Sequence, residues 1–347
     1  MLDNKKYYIN NKISEARTLH SDYYTSDKIF SNSIKQIFSN SWQLVSHKND
    51  LEKLNIIPFR FLEDSISEPL ILTKENDEIH CISNVCTHRG HLICNNKKLG
   101  KSFTCRYHGR SFHLDGQFKN AVGFDGVKDF PSQNDNLNQL KIKEWNDFIF
   151  VSFTNKIDIS NLLLDIDDRL EQFPFSKLIY SENLSSTYTI NAHWALYCEN
   201  YLEGFHVPFV HKGLSREIDN SSYTTLLLDG GVLQYADNNN PPHKVYGYYY
   251  WIFPNLMLNF YDWGLSINIV EPISKNKTRI RFLSYLINDN TFTREAIDDL
   301  KTIELEDQSV VSSVQKGIQS MCYSNGRYSP ENEKGVHYLH TLLSKFI

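Results

Sequence analysis

Two short motifs, Cys86-Thr87-His88 and Cys105-Arg106-Tyr107-His108, constrain this chain more than anything else in it. Each carries one thiol and one imidazole, and sixteen residues separate them. A glycine stands beside each, Gly90 two residues after His88 and Gly109 directly after His108. Glycine lets a ligand loop turn sharply and brings backbone amides close to whatever the loop holds. Two thiolates and two neutral imidazoles suit an iron–sulfur pair, with both cysteines on one iron and both histidines on the other. A structural zinc ion takes the same four donors. Zinc fingers pair Cys with Cys and His with His, whereas here each half is mixed, which favours the iron–sulfur pair. Cys81, His91, Cys94 and His113 lie nearby but outside the pattern and read as packing or surface residues.

The sequence around these motifs reads as short strands, at residues 42–45, 71–73, 79–85 and 148–153, punctuated by Gly, Asn and Asp as in a small antiparallel domain. A chain of 347 residues exceeds one ordinary core and predicts about two domains. A polar stretch at 154–160 marks the boundary, giving a polar N-terminal segment (1–38, helical around 31–37), a β-rich domain (39–155) and a second domain (156–347). The second domain carries a helical pattern at 192–205, aromatic β-type runs between 246 and 270, a strand at 279–286 and a helix at 294–320. Helices and strands in blocks predict an α+β class.

Charge and hydropathy exclude some roles. A formal net charge of −5 leaves no basic stripe for phosphates, so nucleic acid is not expected as a partner. No apolar run reaches the roughly 18–20 residues that span a bilayer, and no apolar h-region follows the first residues. A cytoplasmic location is expected, and in a reducing compartment the six cysteines point to metal or packing rather than disulfides.

A second cluster of metal-ligating types spans 191–211. Glu199 and Glu203 are four apart and Glu203 and His206 three apart, which on a helix places them on one face. Pro208 is expected to end that helix and let His211 fold back toward His206. Two histidines so placed need one carboxylate to complete a face for Fe(II) that leaves positions open for O2. Glu203 fits the Glu-x-x-His pairing of carboxylate-bridged di-iron bundles. Asp307 is a second candidate, on a stripe formed by Leu300, Ile303, Val310, Val314 and Ile318 at helical spacing, where an unpaired acid wants a cation. Its neighbour Glu306 is expected to point off the stripe toward water.

The spacing C-x-H-x16-C-x2-H, together with Asn191-x-x-Trp194 and Glu199-Asn-Tyr-Leu-Glu203-x-x-His206-x4-His211, resembles the large (alpha) oxygenase subunit of the Rieske non-haem iron oxygenases over nearly the whole chain. The tail, Val314-Gln-Lys-Gly-Ile-Gln-Ser through Tyr323, Gly326-Arg-Tyr-Ser and Glu333, resembles the choline monooxygenase group within that family most closely. The resemblance implies an all-β Rieske domain followed by an α+β catalytic domain with a central antiparallel sheet and covering helices. It implies a [2Fe–2S] cluster on Cys86, His88, Cys105 and His108, a mononuclear Fe(II) on His206, His211 and Asp307, and Glu203 as an electron bridge. It further implies O2 as co-substrate, a homotrimer in which one subunit's cluster faces the next subunit's iron, and NAD(P)H electrons from a partner reductase or ferredoxin. The chain has no G-x-G-x-x-G fingerprint of its own.

Two departures from the family pattern are visible. Glu replaces the commoner Asp at 203, as in members acting on quaternary amines. The second half-site continues Gly109-Arg110, where many members have Gly-Trp, which predicts an altered surface over the cluster.

The implied activity is insertion of oxygen into a small organic substrate. Candidates are a quaternary amine such as choline or a betaine, by hydroxylation or demethylation, or an aromatic ring attacked by a dioxygenase. A non-catalytic iron–sulfur electron carrier would need only the first constellation. The aromatic run at 246–253, with Phe260, Tyr261 and Trp263, reads either as a pocket wall able to cage a cation or as strands with aromatics on both faces.

Overall fold

The computed structural model describes residues 4–239, 245–287 and 294–347. The chain divides into a unit of Ser39–Ile157 and a unit built from Met1–Phe38 together with Asp158–Ile347.

The Ser39–Ile157 unit is three small antiparallel sheets. They comprise β1 (Gln43–His47), β2 (Ile56–Phe61), β3 (Glu68–Glu75), β4 (Glu78–Ser83), β5 (Phe103–Thr104), β6 (Ser111–Phe112), β7 (Phe118–Asn120), β8 (Lys141–Trp145) and β9 (Phe148–Ser152), ordered β1-β9-β8, β2-β3-β4 and β5-β6-β7. Asn76-Asp77 and Asn146-Asp147 close the β3–β4 and β8–β9 hairpins with both residues at positive φ, the conformation that two-residue turns matching strand twist require. Ile56, Ile71, Ile82, Phe103 and Phe112 form a core that also buries Cys86 and Cys105.

Two loops leave this core with the same hydrogen-bond pattern. In one, the Cys86 amide donates to the His91 carbonyl (2.9 Å) and the Gly90 amide to the Cys86 carbonyl (3.0 Å). In the other, the Cys105 amide donates to the Arg110 carbonyl (2.7 Å) and the Gly109 amide to the Cys105 carbonyl (2.9 Å). Gly90 and Gly109 adopt φ of +72° and +76°, which a side chain would strain.

The other unit is built on a seven-stranded antiparallel sheet of β10 (Ile179–Ile190), β11 (Thr224–Leu228), β12 (Gly231–Asp237), β13 (Val245–Ile252), β14 (Leu256–Tyr261), β15 (Gly264–Ser274) and β16 (Lys277–Leu286), ordered β10-β16-β15-β14-β13-β12-β11. The long helix Arg294–Ile318 packs on the helix Trp194–Tyr201 and on β10. The buried Gln315 carbonyl accepts the His193 amide (2.7 Å), tying the two helices together. In the N-terminal segment, Tyr24 donates to Glu199 (2.8 Å), whose carboxylate also meets His340 of the helix Lys334–Ser344 (3.1 Å). Among the described residues no helix is long and apolar enough to cross a membrane.

The helix expected over 192–205 is shorter than its pattern suggested. It runs Trp194–Tyr201, with the His193 ring accepting the Ala195 amide (3.2 Å) as its N-cap. Gly204 then packs under the Tyr223 ring so closely that a Cβ would stand 2.4 Å from it, which marks a tight turn. Glu203 and His206 therefore share a loop, not a helix face. Pro208 begins a helix instead of ending one, lying in the first turn of Val207–Val210 where a missing N–H loses no partner.

Full burial lowers the His193 imidazole to about 3. The unfolded chain then binds more protons than the folded one between about pH 6.5 and 3. Stability should therefore fall as pH drops through that window, and His193→Asn, which keeps a capping oxygen, should flatten the decline by up to about 1.4 kcal/mol per pH unit. Denaturant unfolding of both proteins across this range checks it.

Candidate metal centres

At the first centre the donors sort by type. The Cys86 and Cys105 side chains are buried and hydrogen-bonded to each other, and the His88 and His108 rings stand 4.7 Å apart beside exposed surface. Burial, with the Cys105 thiol alongside, pushes the Cys86 thiol up. Burial, His108 and the guanidinium groups of Arg110 and Arg89 hold the His88 imidazole low and hence neutral, the form that binds metal. These donors do not converge as those of a single-ion site do. Among the described residues, the only donor set whose ligand atoms all lie within 4.8 Å of one another is His206, His211 and Asp307. Paired thiols inside and paired imidazoles outside fit a two-iron cluster better than one zinc ion. Cys81 and Cys94 are buried in packing, and His91 and His113 are exposed.

Arg110 departs from expectation. It is 3 % exposed, so it does not reshape the surface; its guanidinium turns inward among phenylalanine rings.

At the second centre, His206 Nε2 and His211 Nε2 are 3.2 Å apart. Asp307 Oδ1 lies 3.0 Å from the latter and 3.6 Å from the former. Each ring's other nitrogen meets a carboxylate: His206 Nδ1 is 2.7 Å from Glu203 Oε1, and His211 Nδ1 is 2.8 Å from Glu306 Oε2. Glu203 Oε2 also accepts the His206 amide (2.9 Å). Glu203 thus sits on the far side of the ring from Asp307. Burial pulls the His211 imidazole down, but Asp307 and Glu306 outweigh it and leave the ring above its ordinary range. Two imidazoles and one carboxylate converge within a surplus of acids, which is the donor chemistry of a divalent iron site.

Glu306 corrects the sequence expectation. It is partly exposed, yet its carboxylate holds His211 rather than pointing only to water. The helix phase also differs from the expected stripe. Val314 is 43 % exposed, while Val311, Gln315 and Ile318 are buried, so the inward line runs Glu304, Asp307, Val311, Gln315, Ile318. Two adjacent valines, 310 and 311, allowed either phase on paper. The Leu300 side chain lies outside the described residues.

A cavity of about 500 Å³ opens onto His206, His211 and Asp307. Tyr246, Tyr249, Tyr261 and Trp263 line it, while Tyr250, Trp251 and Phe260 are buried outside its lining, so the aromatic run does both jobs. A β-bulge at Tyr246, where Ala236 pairs with Gly247 and Asp237 with Val245, shifts the strand's alternation locally. Sequence reasoning missed Glu304, a cavity-lining acid that accepts from Tyr188 (2.5 Å) and Tyr197 (3.1 Å). Burial, with Asp307 adding to it against the two tyrosines, pushes Glu304 up to about 8. Its one sequence signal is the run Glu304-Leu-Glu-Asp307, with acids at i and i+3.

Comparison with known proteins agrees with this division. Residues 41–131 match the Rieske [2Fe-2S] domain, and residues 229–347 match the ring hydroxylating alpha subunit (catalytic domain). The first match contains the four cluster candidates and the second contains Asp307; His206 and His211 fall between them. Choline monooxygenase of Arabidopsis thaliana is 26 % identical over 95 % of this chain and 83 % of its own length. The carnitine monooxygenase oxygenase subunit of Escherichia coli K12 is 26 % identical over 95 % of this chain and 94 % of its own. A crystal structure of a quaternary ammonium Rieske monooxygenase with L-carnitine shares the fold at a TM-score of 0.79 (24 % identity, 97 % of each chain covered). Naphthalene 1,2-dioxygenase with indole shares it at 0.73 (14 % identity, 98 % of this chain and 94 % of that one). The chain belongs to the Rieske-type non-haem iron oxygenases, oxidoreductases that combine a [2Fe–2S] cluster with a mononuclear iron and act with O2 and a separate reductase on a small-molecule substrate.

Proposed function

We propose that the chain is the oxygenase component of a monooxygenase for a small quaternary ammonium compound, such as choline or a betaine. It would hydroxylate or oxidatively demethylate that compound with electrons from an NAD(P)H-dependent reductase. The cavity carries this reading. Tyr246, Tyr249, Tyr261 and Trp263 line it, and of its three acids Glu304 is pushed up to about 8 by burial. A fixed positive charge held against those ring faces would favour the ionised form of that carboxyl. The named activities of the choline and carnitine relatives support the same class. A neutral arene would suit the rings but gain nothing from the acid. An electron carrier would leave the His206–His211–Asp307 convergence without a use.

In this reading Cys86 and Cys105 hold one iron of the cluster and His88 and His108 the other, while His206, His211 and Asp307 hold the mononuclear iron. When bound, that iron supplies the redox chemistry with O2. The protein's own groups orient and relay. Glu306 and Glu203 fix the two imidazoles through Nδ1, and Glu203 links His206 to an incoming electron. Its position on the Nδ1 side supports this role over that of a ligand in a di-iron site. We also propose a homotrimer with electron transfer between subunits, a transfer named in the description of a related quaternary ammonium monooxygenase structure. Exposed Phe205 and Phe209, flanking His206, support a covering partner there. Cytoplasmic location belongs to the same reading.

Coupled O2 uptake and product formation, with a reductase supplied, tests the substrate class against choline, glycine betaine and naphthalene. Turnover is expected only with the quaternary amines, and coupled oxidation of naphthalene alone would overturn the proposal. Glu304→Gln should raise KM for the cation roughly tenfold, about 1.4 kcal/mol, with iron retained.

Iron content tests the ligand set. Asp307→Ala should empty the mononuclear site while the cluster's visible absorption stays. Glu306→Ala should weaken iron binding by roughly 10- to 100-fold through loss of the His211 hydrogen bond. Glu203→Gln keeps an acceptor for His206 Nδ1, so both centres should stay loaded while single-turnover product formation stops. Loss of iron in that variant would make Glu203 a ligand.

A further inference from the structure

Arg110 follows the His108-Gly109 turn directly. Its guanidinium carbon lies 4.9 Å, 5.2 Å and 5.4 Å from the ring centroids of Phe124, Phe130 and Phe118. Nη1 donates to Thr87 Oγ1 (2.9 Å) and to Asp135 Oδ1 (3.2 Å), and the Thr87 hydroxyl donates to the Asp135 carbonyl (2.8 Å). Thr87 stands between Cys86 and His88, so one side chain of the second ligand loop grips the first loop between its two candidate ligands. Phe124, stacked in the same cage, also lies edge-on to His88 at 5.3 Å. Nε finds no partner in this buried setting.

We propose that Arg110 is a positioning residue that locks the two cluster loops together and, through its buried charge, raises the cluster's reduction potential. The inference rests on the cluster ligation proposed above and goes beyond it. Reduction adds one negative charge to the cluster, and cluster potential follows the net charge and hydrogen bonding around it. A charge shielded from water acts on that step more strongly than one at the surface. Asp135, paired with the guanidinium, works against it. The two residues therefore carry opposite signs, which a purely structural role would not produce.

The test is a dithionite redox titration of the full-length protein, followed by the reduced cluster's EPR signal. Arg110→Leu should lower the midpoint by at least about 59 mV, a tenfold loss in the equilibrium for a one-electron couple. Arg110→Lys should stay nearer the parent protein, and Asp135→Asn should raise the midpoint. An unchanged midpoint in Arg110→Leu with its visible spectrum intact overturns the proposal, as do shifts of the same sign in Arg110→Leu and Asp135→Asn. If Arg110→Leu fails to hold a cluster, the locking role stands, and the direction of shift in Asp135→Asn decides the electrostatic one. Absence of any cluster signal in the parent protein would instead defeat the ligation itself.

Discussion

The arrangement at the second centre depends on two carboxylate–imidazole pairs. A neutral imidazole has one N–H and one lone pair, and whichever nitrogen donates leaves the other free for metal. Glu203 and Glu306 each engage an Nδ1, so the Nε2 atoms of His206 and His211 turn inward toward Asp307. Without those pairs the rings could rotate or change tautomer, and three donors would seldom face one point. The remaining electrostatics follow. Glu203, Glu306 and Asp307 against two imidazoles leave an excess of negative charge in a half-buried space, which a divalent cation offsets.

That convergence has to be built from distant segments. His211 and Asp307 are separated by 96 residues, and what brings them together is the packing of Arg294–Ile318 across Trp194–Tyr201. Gln315 fixes this packing two turns beyond Asp307, by accepting the amide of the residue that caps the shorter helix. On the far side, Glu199 is taken up by Tyr24 and His340. It shares the acid-rich stretch with Glu203 in sequence, yet serves to hold the N-terminal segment and the C-terminal helix on the same core.

This explains what could be read in the sequence and what could not. The cluster loops were legible because each is local: four donors, two glycines and a repeated spacing lie within 24 residues, and the backbone pattern needs nothing from outside. At the second centre the candidate donor types could be read from residues 203–211 and 307, though not from one local stretch. Their geometry could not. Helical spacing suggested that Glu203 and His206 share a face, but the helix stops at Tyr201, and Gly204 beyond it packs against Tyr223, 19 residues away. Glu306 was assigned to water by helix phase alone, because nothing in its neighbourhood shows that His211 lies within reach. Glu304 had no local signal beyond its charge; it becomes notable only where β10 and Trp194–Tyr201 place two tyrosines over it. Arg110 was visible as a departure but misplaced, since the phenylalanines that enclose it lie 8 to 20 residues further on.

The chemistry of the cavity narrows what can bind there. A quaternary nitrogen has no N–H to donate, so hydrogen-bond acceptors aimed at a donor cannot recognise it. It is recognised by ring faces and by net charge. The hydroxyls of Tyr188 and Tyr197 are already committed, both donating to Glu304 Oε2. Among what the wall offers a ligand are aromatic surface and a carboxyl whose second oxygen takes neither of those bonds. A neutral planar ligand would gain the aromatic contact alone. A cation gains from both. The same acid therefore favours one substrate class without penalising the other, and a preference of this kind needs no shape difference between them.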